Sequence, residues 1–497
     1  MRFFVIFLGL LPVAFGAGQV VLGFNWNESL PPSAMVATSD GGFIATVGPD
    51  VMKFDGMGRR DPAFVSALSS TQFYPNMLVS APDEGVFVGP HAVVGAIRYG
   101  VVKLALSGSV DAKFKPVLIT GASQTEGAAI TAIASDYAGG VYIGGTFTSL
   151  NSISAPGLAH VDENGTVSPI RSNRLGVNTP IFIARIKGGL LIAQENDAFI
   201  RFDSGWERDL EKPSKGEWRW IGRGGAIDPN YGIALSVSYL RNGVVENVVS
   251  VWNFDGSLKH AFESKVIFGP TPLSALQWDR VGRLIGIGGR VADEGSAVTD
   301  DGSAFGPKRL MADGSLDPHW SRTLGLNGQQ SSACVLSSGE VIVGGVFSRV
   351  GMINRSLALK LTSDFASVSA SPQLSARGSV APQRPLIMGL VVPDNGVAVD
   401  VLIRAVSSSL STFGVTETVS ATRFSLFRGQ ERLGFFTHQN ASKNASFVGS
   451  QAGAFPIAST QGEAQALINL MPGAYTIVID GRETERGEVL GEVYFPR

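Results

Sequence analysis

A repeated turn motif is the feature that most constrains the fold of this chain. Its copies share a turn glycine and an aromatic residue six positions later, as in 54–64, 106–114, 254–262 and 311–320, and weaker copies surround Gly165 and Gly205. The six turn glycines, at 58, 108, 165, 205, 256 and 314, are spaced by 50, 57, 40, 51 and 58 residues. A period of about 50 residues in a strand-rich chain is typical of one β-propeller blade.

A second marker recurs in step with the first. It is a glycine-led turn followed by an apolar strand that ends in glycines, and its two best copies, 139–147 and 339–347, lie 200 residues apart. Looser copies begin at Gly42, Gly85, Gly189, Gly232 and Gly282, which makes seven in all. Glycine pairs inside a strand suit places where strands crowd together. We therefore expect residues 19–368 to form a propeller ring of seven blades.

The residue types of the turn motif explain its shape. The Asp313-Gly314 pair supplies a backbone with positive φ, Asp317 can cap nearby backbone amides, and Trp320 anchors the turn in the core between blades. We therefore expect the repeated acidic residues to be structural, with loss of the Asp317 cap costing about 0.5–2 kcal/mol. A calcium loop needs alternating oxygen ligands, and no window of the sequence has that spacing.

These motifs resemble the delta-60 repeat of exported bacterial β-propeller proteins. That repeat carries a D-G-S-L-D-x-x-F turn and a strand ending in G-G-x-F, which 313–320, 139–147 and 339–347 match closely. The match is weaker between residues 165 and 260. The resemblance implies a propeller fold and an extracellular setting, and it implies no shared catalytic residues.

The repeat stops near residue 368, and a short linker is predicted at 369–373. A C-terminal β-sandwich is predicted for 374–497, where 399–405 and 475–480 approximate the alternation of strands. The sequences Val401–Leu410 and Leu470–Thr476 resemble a C-terminal domain that recurs in large exported bacterial proteins, which implies a surface or secretion-associated module. Within the first of these, Arg404 is expected to be a solvated strand residue, with a buried pairing role as the alternative.

The N-terminus predicts export. Arg2 precedes the apolar run Phe3–Leu11, and small residues surround Ala17, so residues 1–17 are predicted to be a signal peptide. The run is too short to cross a membrane, and no later stretch reaches 18 apolar residues. Cys334 is the single cysteine, which excludes intramolecular disulfides and cysteine-rich zinc sites, and we expect it to be a small buried hydrophobe. The predicted location is secreted, extracellular or cell-surface, with the periplasm as a further option.

Charge and motifs exclude several functions. Lys and Arg total 40 against 42 Asp and Glu, for a net charge of −2, so nucleic acid is not expected as a partner. The sequence lacks the motifs of serine hydrolases, zinc proteases, phosphate-binding loops and dinucleotide-binding domains, and its five histidines have no metal-ligand spacing. No catalytic residue, metal or cofactor is predicted. Trp218, Arg219 and Trp220 form one candidate ligand-binding cluster, because paired Trp side chains can bind sugar rings; packing between blades is the structural alternative.

Two function classes remain open. The first is a noncatalytic binding or scaffold propeller that contacts a glycan or protein partner, and the second is an extracellular enzyme acting on polysaccharide from the propeller funnel. Two carboxylates about 5–10 Å apart in the funnel would favour the enzyme, whereas a lining of Gly, Ser and Val would favour binding. The sequence makes no prediction of oligomeric state.

Overall fold

The structure is a computed structural model that describes residues 18–495 apart from a set of internal segments. The residues outside the description are 1–17, 69–72, 94–98, 121–128, 171–178, 187–188, 195–198, 204–205, 210–216, 229, 242–243, 256, 260–261, 263–272, 289–305, 318–319, 321–325, 351–352, 364–372, 393, 395–397, 441–444, 446–448, 450–453, 456, 458–461, 483 and 496–497. Only the backbone is described for some strand residues, including 199–203 and 217–224. The predicted signal peptide and most of the predicted linker lie outside the described residues.

Between residues 32 and 361 the described strands form seven antiparallel sheets, numbered 1 to 7 in chain order. Sheet 1 contains β1 (Pro32–Ala37), β2 (Phe43–Val47) and β3 (Asp50–Phe54), and sheet 2 contains β4 (Phe73–Ser80), β5 (Val86–Val93), β6 (Tyr99–Leu104) and β7 (Val117–Leu118). Sheet 3 contains β8 (Ile130–Ser135), β9 (Val141–Gly145), β12 (Leu158–Val161) and β13 (Val167–Pro169), and sheet 4 contains β14 (Pro180–Ile186), β15 (Gly189–Gln194), β16 (Phe199–Asp203) and β17 (Trp206–Asp209). Sheet 5 contains β18 (Glu217–Asp228), β19 (Gly232–Arg241) and β20 (Val244–Trp252), sheet 6 contains β21 (Ala275–Trp278), β22 (Leu284–Ile287) and β23 (Lys308–Leu310), and sheet 7 contains β24 (Gln329–Val335), β25 (Val341–Val346) and β28 (Ala358–Leu361). Two short hairpins, β10 (Ser149–Leu150) with β11 (Ile153–Ser154) and β26 (Arg349–Val350) with β27 (Ile353–Asn354), interrupt sheets 3 and 7.

The first strands of these sheets close a ring. Each of β1, β4, β8, β14, β18 and β21 contacts the first strand of the next sheet, and β24 contacts β1. Hydroxyl groups reinforce these contacts, since Ser33 donates to the Pro75 carbonyl at 3.3 Å and Ser331 donates to the Pro32 carbonyl at 3.0 Å. Apolar clusters fill the seams between neighbouring sheets. The all-β propeller fold expected from the repeats is therefore confirmed.

The repeated turn has the expected backbone wherever the structure describes it. Gly58, Gly108, Gly165 and Gly314 have φ between 78° and 87°. The aromatic residue six positions later is buried in each described copy that has one, at Phe64, Phe114, Phe262 and Trp320. Gly205, Gly256, His260 and His319 lie outside the described residues. The turn glycines and aromatic anchors thus have the structural roles that their residue types predict.

The paired glycines lie where neighbouring sheets crowd together. A Cβ added to Gly144 would come within 2.8 Å of the Pro180 and Ile183 side chains of the next sheet. A Cβ added to Gly344, the equivalent glycine of sheet 7, would contact the Pro32 side chain of sheet 1. A side chain at either position would push the next inner strand away, so the glycines allow the close approach that the sequence indicated.

The first described residues complete sheet 7. Val20 forms an antiparallel bridge with Leu361, and the amides of Gly18 and Val21 donate to the carbonyls of Thr362 and Lys360 at 3.1 and 2.8 Å. The other edge of this segment accepts a hydrogen bond from the Ala398 amide to the Val20 carbonyl at 3.2 Å. The N-terminal segment therefore joins the outer edge of the last sheet to the C-terminal part of the chain.

The C-terminal residues form two four-stranded antiparallel sheets around one apolar core. The first has the order β29 (Gln373–Val380), β36 (Gly487–Tyr494), β31 (Val399–Val406) and β34 (Ala464–Leu470), and the second has the order β30 (Leu386–Val392), β35 (Gly473–Asp480), β32 (Arg423–Arg428) and β33 (Glu431–Phe436). Short 3-10 turns occupy Ser408–Phe413 and His438–Asn440. Both strands expected from the sequence are present.

The expectation of a solvated Arg404 is wrong. Its side chain is 2% exposed, because it lies in β31, a strand buried along its whole length. The guanidinium lies 3.2 Å from a carboxylate oxygen of Glu492, donates to the Phe455 carbonyl at 2.8 Å, and lies over the Phe455 ring. A charge buried this deeply needs such partners, so the buried pairing role is the correct one.

Cys334 is buried and unpaired, as expected, and burial raises the pKa of its thiol to about 12. Among the described residues, no helix is long and apolar enough to cross a membrane.

Candidate functional site

A basic side chain in the third strand of five sheets holds the turns together, and in four of these sheets it is a buried Lys or Arg. It is the residue before the last of that strand, and its partner is a carboxylate on the turn between the first two strands or on the repeat turn. The pairs are Lys53 with Asp40 at 2.6 Å, Lys103 with Asp83 at 2.6 Å, His160 with Asp136 at 2.9 Å, Arg309 with Asp317 at 2.6 Å and Lys360 with Glu340 at 2.8 Å. Sequence reasoning did not identify this basic residue, although a Lys, His or Arg recurs one position before the end of the third strand in these five sheets.

The second turn joins the same network. Lys53 also lies 3.6 Å from Asp61, and Lys103 lies 3.0 Å from Asp111. The hydrogen bond from Lys53, ahead of that from Thr38, lowers the pKa of Asp40 to about 2. These carboxylates serve buried cations, which agrees with the structural role that the turn chemistry predicted.

Asp317 has a partner that the sequence did not predict, while residues 318–319 lie outside the described residues, so its predicted backbone cap stays a prediction. It accepts hydrogen bonds from the Arg309 guanidinium within a buried ion pair, and both side chains are 2% exposed. Backbone capping of the kind predicted is present at Asp61 and Asp111, which accept from the amides of Ala63 and Lys113 at 2.9 Å. The structural importance of Asp317 thus comes from a charge pair as well as from the turn.

The seam between sheets 3 and 4 departs from the repeat. In each sheet, one residue of the middle strand faces the next sheet. It lies opposite the third-strand position that holds the basic residue in most sheets. The pairs are Ile44 with Lys53, Phe87 with Lys103, Tyr142 with His160, Leu191 with Arg201, Ala234 with Val251, Ile285 with Arg309 and Ile342 with Lys360. Six of the middle-strand residues are apolar and the seventh is Tyr142. The six other sheets show that the fold needs no tyrosine there.

The side chains of Tyr142, His160 and Arg185 face this seam near its turn end. The rings of Tyr142 and His160 lie 4.7 Å apart between centroids, at 39° to each other. Tyr142 packs on the apolar cluster shared with Ile183 of β14. Because strand residues alternate in direction and the register is regular from Phe182 to Ile186, the exposed Arg185 faces the same seam as Ile183.

Tyr137 rises at the tip of the turn before β9. Its side chain is 59% exposed, and its φ of 58° is rare for a bulky residue. Hydrogen bonds fix the turn, since the Tyr137 amide donates to Ser135 Oγ at 3.1 Å and the Ala138 amide donates to Asp136 Oδ1 at 2.7 Å. The structure therefore presents an aromatic ring to solvent on a rigid turn.

Electrostatics link the residues of this seam. Desolvation raises the pKa of Tyr137 and Tyr142, and the charge of Arg185 opposes that rise at both phenols. Desolvation also acts to raise the pKa of Asp136, but hydrogen bonds from His160, Ala138 and Gly140 outweigh it and lower the pKa. Asp136 is therefore ionised and accepts a hydrogen bond from His160 Nε2.

We name Tyr137, Tyr142, His160 and Arg185 the seam cluster. It offers two phenol groups, an imidazole and a guanidinium, all at least partly exposed. Such a set can stack on a ring, exchange hydrogen bonds with hydroxyl groups and bind an anion. Across the described part of the chain, no group of three or more His, Cys, Asp or Glu side chains is placed to hold a metal ion.

The tryptophan cluster is placed only at the level of the backbone. Trp218, Arg219 and Trp220 lie in β18, an inner strand of the ring, with Trp218 opposite Tyr239 and Trp220 opposite Ser238. The register shifts between the two tryptophans. The side chains of all three lie outside the described part of the structure, so their binding role stays a prediction.

The inner strands of the ring could supply the pair of funnel carboxylates that would favour a polysaccharide-acting enzyme. Among the seven described first strands, acidic residues occur only at Glu217 and Asp228, the two ends of β18. A strand of this length separates its ends by about 30–37 Å, far beyond a catalytic carboxylate pair.

No family model and no curated protein matches the chain. Solved structures resemble it at low identity. A gluconolactonase from Xanthomonas campestris is 12% identical, with 72% of this chain and 99% of that chain covered and a TM-score of 0.36. The WD40 β-propeller domain of Doa1 is 11% identical, with 69% and 96% covered and a TM-score of 0.42. YCF48 from Cyanidioschyzon merolae is 12% identical, with 70% and 99% covered and a TM-score of 0.42. The propeller fold of this chain is carried by its own ring of sheets, and its membership of the delta-60 repeat family stays a prediction.

Proposed function

We propose that this chain is an exported, noncatalytic β-propeller that binds a glycan or protein partner on one face of the ring. In this proposal residues 1–17 are a signal peptide, 19–368 a propeller in which each of the seven sheets is one blade, 369–373 a linker and 374–497 a β-sandwich. The mature protein works outside the cytoplasm or at the cell surface, and the C-terminal part serves display or secretion.

One observation supports binding most strongly. The repeat fixes what the fold needs at each position, and the seam cluster departs from it at the tyrosine of the middle strand and the histidine of the cation position. In the other four described cation pairs, the cation is Lys or Arg. Departures from a repeat that cluster at one exposed seam are what a binding site on a repeat scaffold produces.

A glycan array and a hydrolysis screen on the secreted protein test this proposal together. We expect binding to at least one glycan class and no release of reducing ends. Tyr137→Ala should weaken that binding without changing the unfolding temperature, whereas Val281→Ala, at a 65% exposed turn residue of sheet 6, should leave binding unchanged. Equal binding by both variants would contradict a site at the seam.

The second candidate is a polysaccharide-acting enzyme, and one observation favours it. The Tyr142 and His160 rings are in contact, and Asp136 orients the imidazole, which is an arrangement that proton transfer can use. Polymer cleavage that Tyr142→Phe abolishes, with the fold retained, would establish the enzyme in place of the noncatalytic protein.

A further inference from the structure

We propose that the seam cluster binds an acidic sugar unit, with Arg185 holding its carboxylate and Tyr137 stacking on its ring. This inference rests on the proposed glycan-binding function and specifies the class of glycan.

Arg185 supplies the cation of the seam cluster. Arg185 faces the seam from β14 and is exposed. The position nearest the turn that faces the previous sheet is Ala37 in sheet 1, Ser80 in sheet 2 and Trp278 in sheet 6. No packing requirement of the repeat therefore calls for a guanidinium there. A planar guanidinium with two parallel donors is well matched to a carboxylate.

The aromatic side chains of the seam cluster supply a surface for a sugar ring. Tyr137 presents an exposed ring on a turn whose backbone is held by Asp136 and Ser135. Tyr142 and His160 lie on the same seam, with their ring centroids 4.7 Å apart and their planes tilted at 39°. A pyranose ring has an apolar face that packs on an aromatic ring, and its hydroxyl groups exchange hydrogen bonds with phenol and imidazole.

The surrounding charges argue against a highly charged anionic ligand. Arg185 acts on both phenols, whereas Asp228 acts on Tyr137 and Asp136 acts on Tyr142 with the opposite sign. Asp136 is engaged with His160 at 2.9 Å and with the amides of Ala138 and Gly140. One cation bordered by two carboxylates suits a single carboxylate on a mostly neutral sugar better than a densely charged polyanion.

The test measures binding of the full secreted chain to three oligosaccharides by calorimetry. The probes are a galacturonate oligomer, the same oligomer with its carboxylates methyl-esterified, and a neutral glucose oligomer. We expect the first to bind most tightly, and Arg185→Gln to weaken it by about 10–100-fold, as loss of a charge-assisted hydrogen bond would. Arg59→Gln is the matched control, because Arg59 is a 73% exposed arginine on the repeat turn of sheet 1.

Each other outcome is decisive. If the esterified and acidic oligomers bind equally and Arg185→Gln changes neither, while Tyr137→Ala weakens both, the acidic inference fails and glycan binding at the seam survives. If none of the probes and no glycan of the array binds, both proposals fail. If polyglutamate binds more tightly than the galacturonate oligomer through Arg185, the ligand is an acidic peptide and the sugar inference is overturned. Thermal unfolding of the three variants should show that the fold is retained, since all three substituted side chains are exposed.

Discussion

Arg309 and Asp317 form an ion pair in which both side chains are 2% exposed and Nη2 lies 2.6 Å from Oδ2. The guanidinium also lies over the Trp320 ring, 4.5 Å from its centroid. The pair therefore joins β23, the repeat turn that follows it and the aromatic anchor of that turn. Removing one partner of a buried pair leaves the other charge desolvated and unpaired.

Asp317→Ala should therefore lower the free energy of unfolding by about 3–5 kcal/mol, more than loss of a cap alone. Asp61→Ala is the control, because Asp61 occupies the same repeat position but is 33% exposed and lies 3.6 Å from Lys53. We expect it to cost about 0.5–2 kcal/mol. Denaturant unfolding measures both. Equal losses would show that the Arg309 pair adds nothing to the cap.

Ring closure through the N-terminal segment gives a second prediction. Val20 is fully buried against Leu361, Trp320 and their neighbours, so Val20→Asp should cause aggregation or a large drop in the unfolding temperature. Val65→Asp, at a valine that is 71% exposed, should stay within about 0.5 kcal/mol of the parent.

Deletions extend this test. Removal of 18–25 should have the effect of Val20→Asp, because it opens the outer edge of sheet 7. Removal of 374–497 should leave the propeller folded, since the hydrogen bonds from Gly18 and Val21 to 360–362 remain. Equal tolerance of the two deletions, followed by circular dichroism and thermal unfolding, would contradict closure by the N-terminal segment.

Gly108 tests the repeat turn itself. Its φ is 87°, and an added Cβ would lie 2.5 Å from the Val65 carbonyl oxygen. Gly108→Ala should cost at least about 1–2 kcal/mol, because the left-handed backbone disfavours any Cβ and the contact adds strain. Gly389→Ala is the control, since no atom lies within 4 Å of its Cβ position and its φ is not in the left-handed range. A neutral Gly108→Ala would show that the turn can rearrange.

Asp40 gives a pH-dependent prediction. Its pKa is lowered to about 2 in the folded protein, below the ordinary value of 3.8, chiefly by the Lys53 hydrogen bond. The stabilisation it supplies is thus present above about pH 4 and is lost as the pH falls toward about 2. Because the Asp40 side chain is 51% exposed, solvent screening limits the effect to about 1 kcal/mol or less.

The check compares the parent with Asp40→Asn by thermal unfolding from neutral pH down to about pH 2.5. The stability difference should be constant above about pH 5 and shrink below about pH 4, because the protonated aspartate resembles asparagine. A difference that stays the same down to pH 2.5 would show that the Lys53 contact does not depend on the charge of Asp40.

The sequence by itself determined the features that repeat along the chain. Turn glycines, aromatic anchors and glycine pairs recur along the chain because each sheet needs the same turn, the same aromatic packing and the same close approach of strands. The residue type at a position such as Gly108 therefore predicts its backbone conformation. Burial of Cys334 and the strand at 399–405 also followed from local apolar pattern.

The tertiary structure alone decided which side chains from separate sheets come together. Arg185 and Tyr142 lie 43 positions apart in the sequence, and only the packing of sheet 4 on sheet 3 places them at one seam. The burial of Arg404 likewise depends on Glu492 and Phe455, which are distant in the chain. The type of a charged or hydroxyl-bearing residue does not indicate which distant residue it contacts. Its partners are fixed only when closure of the ring and packing of the sheets set the distances between side chains.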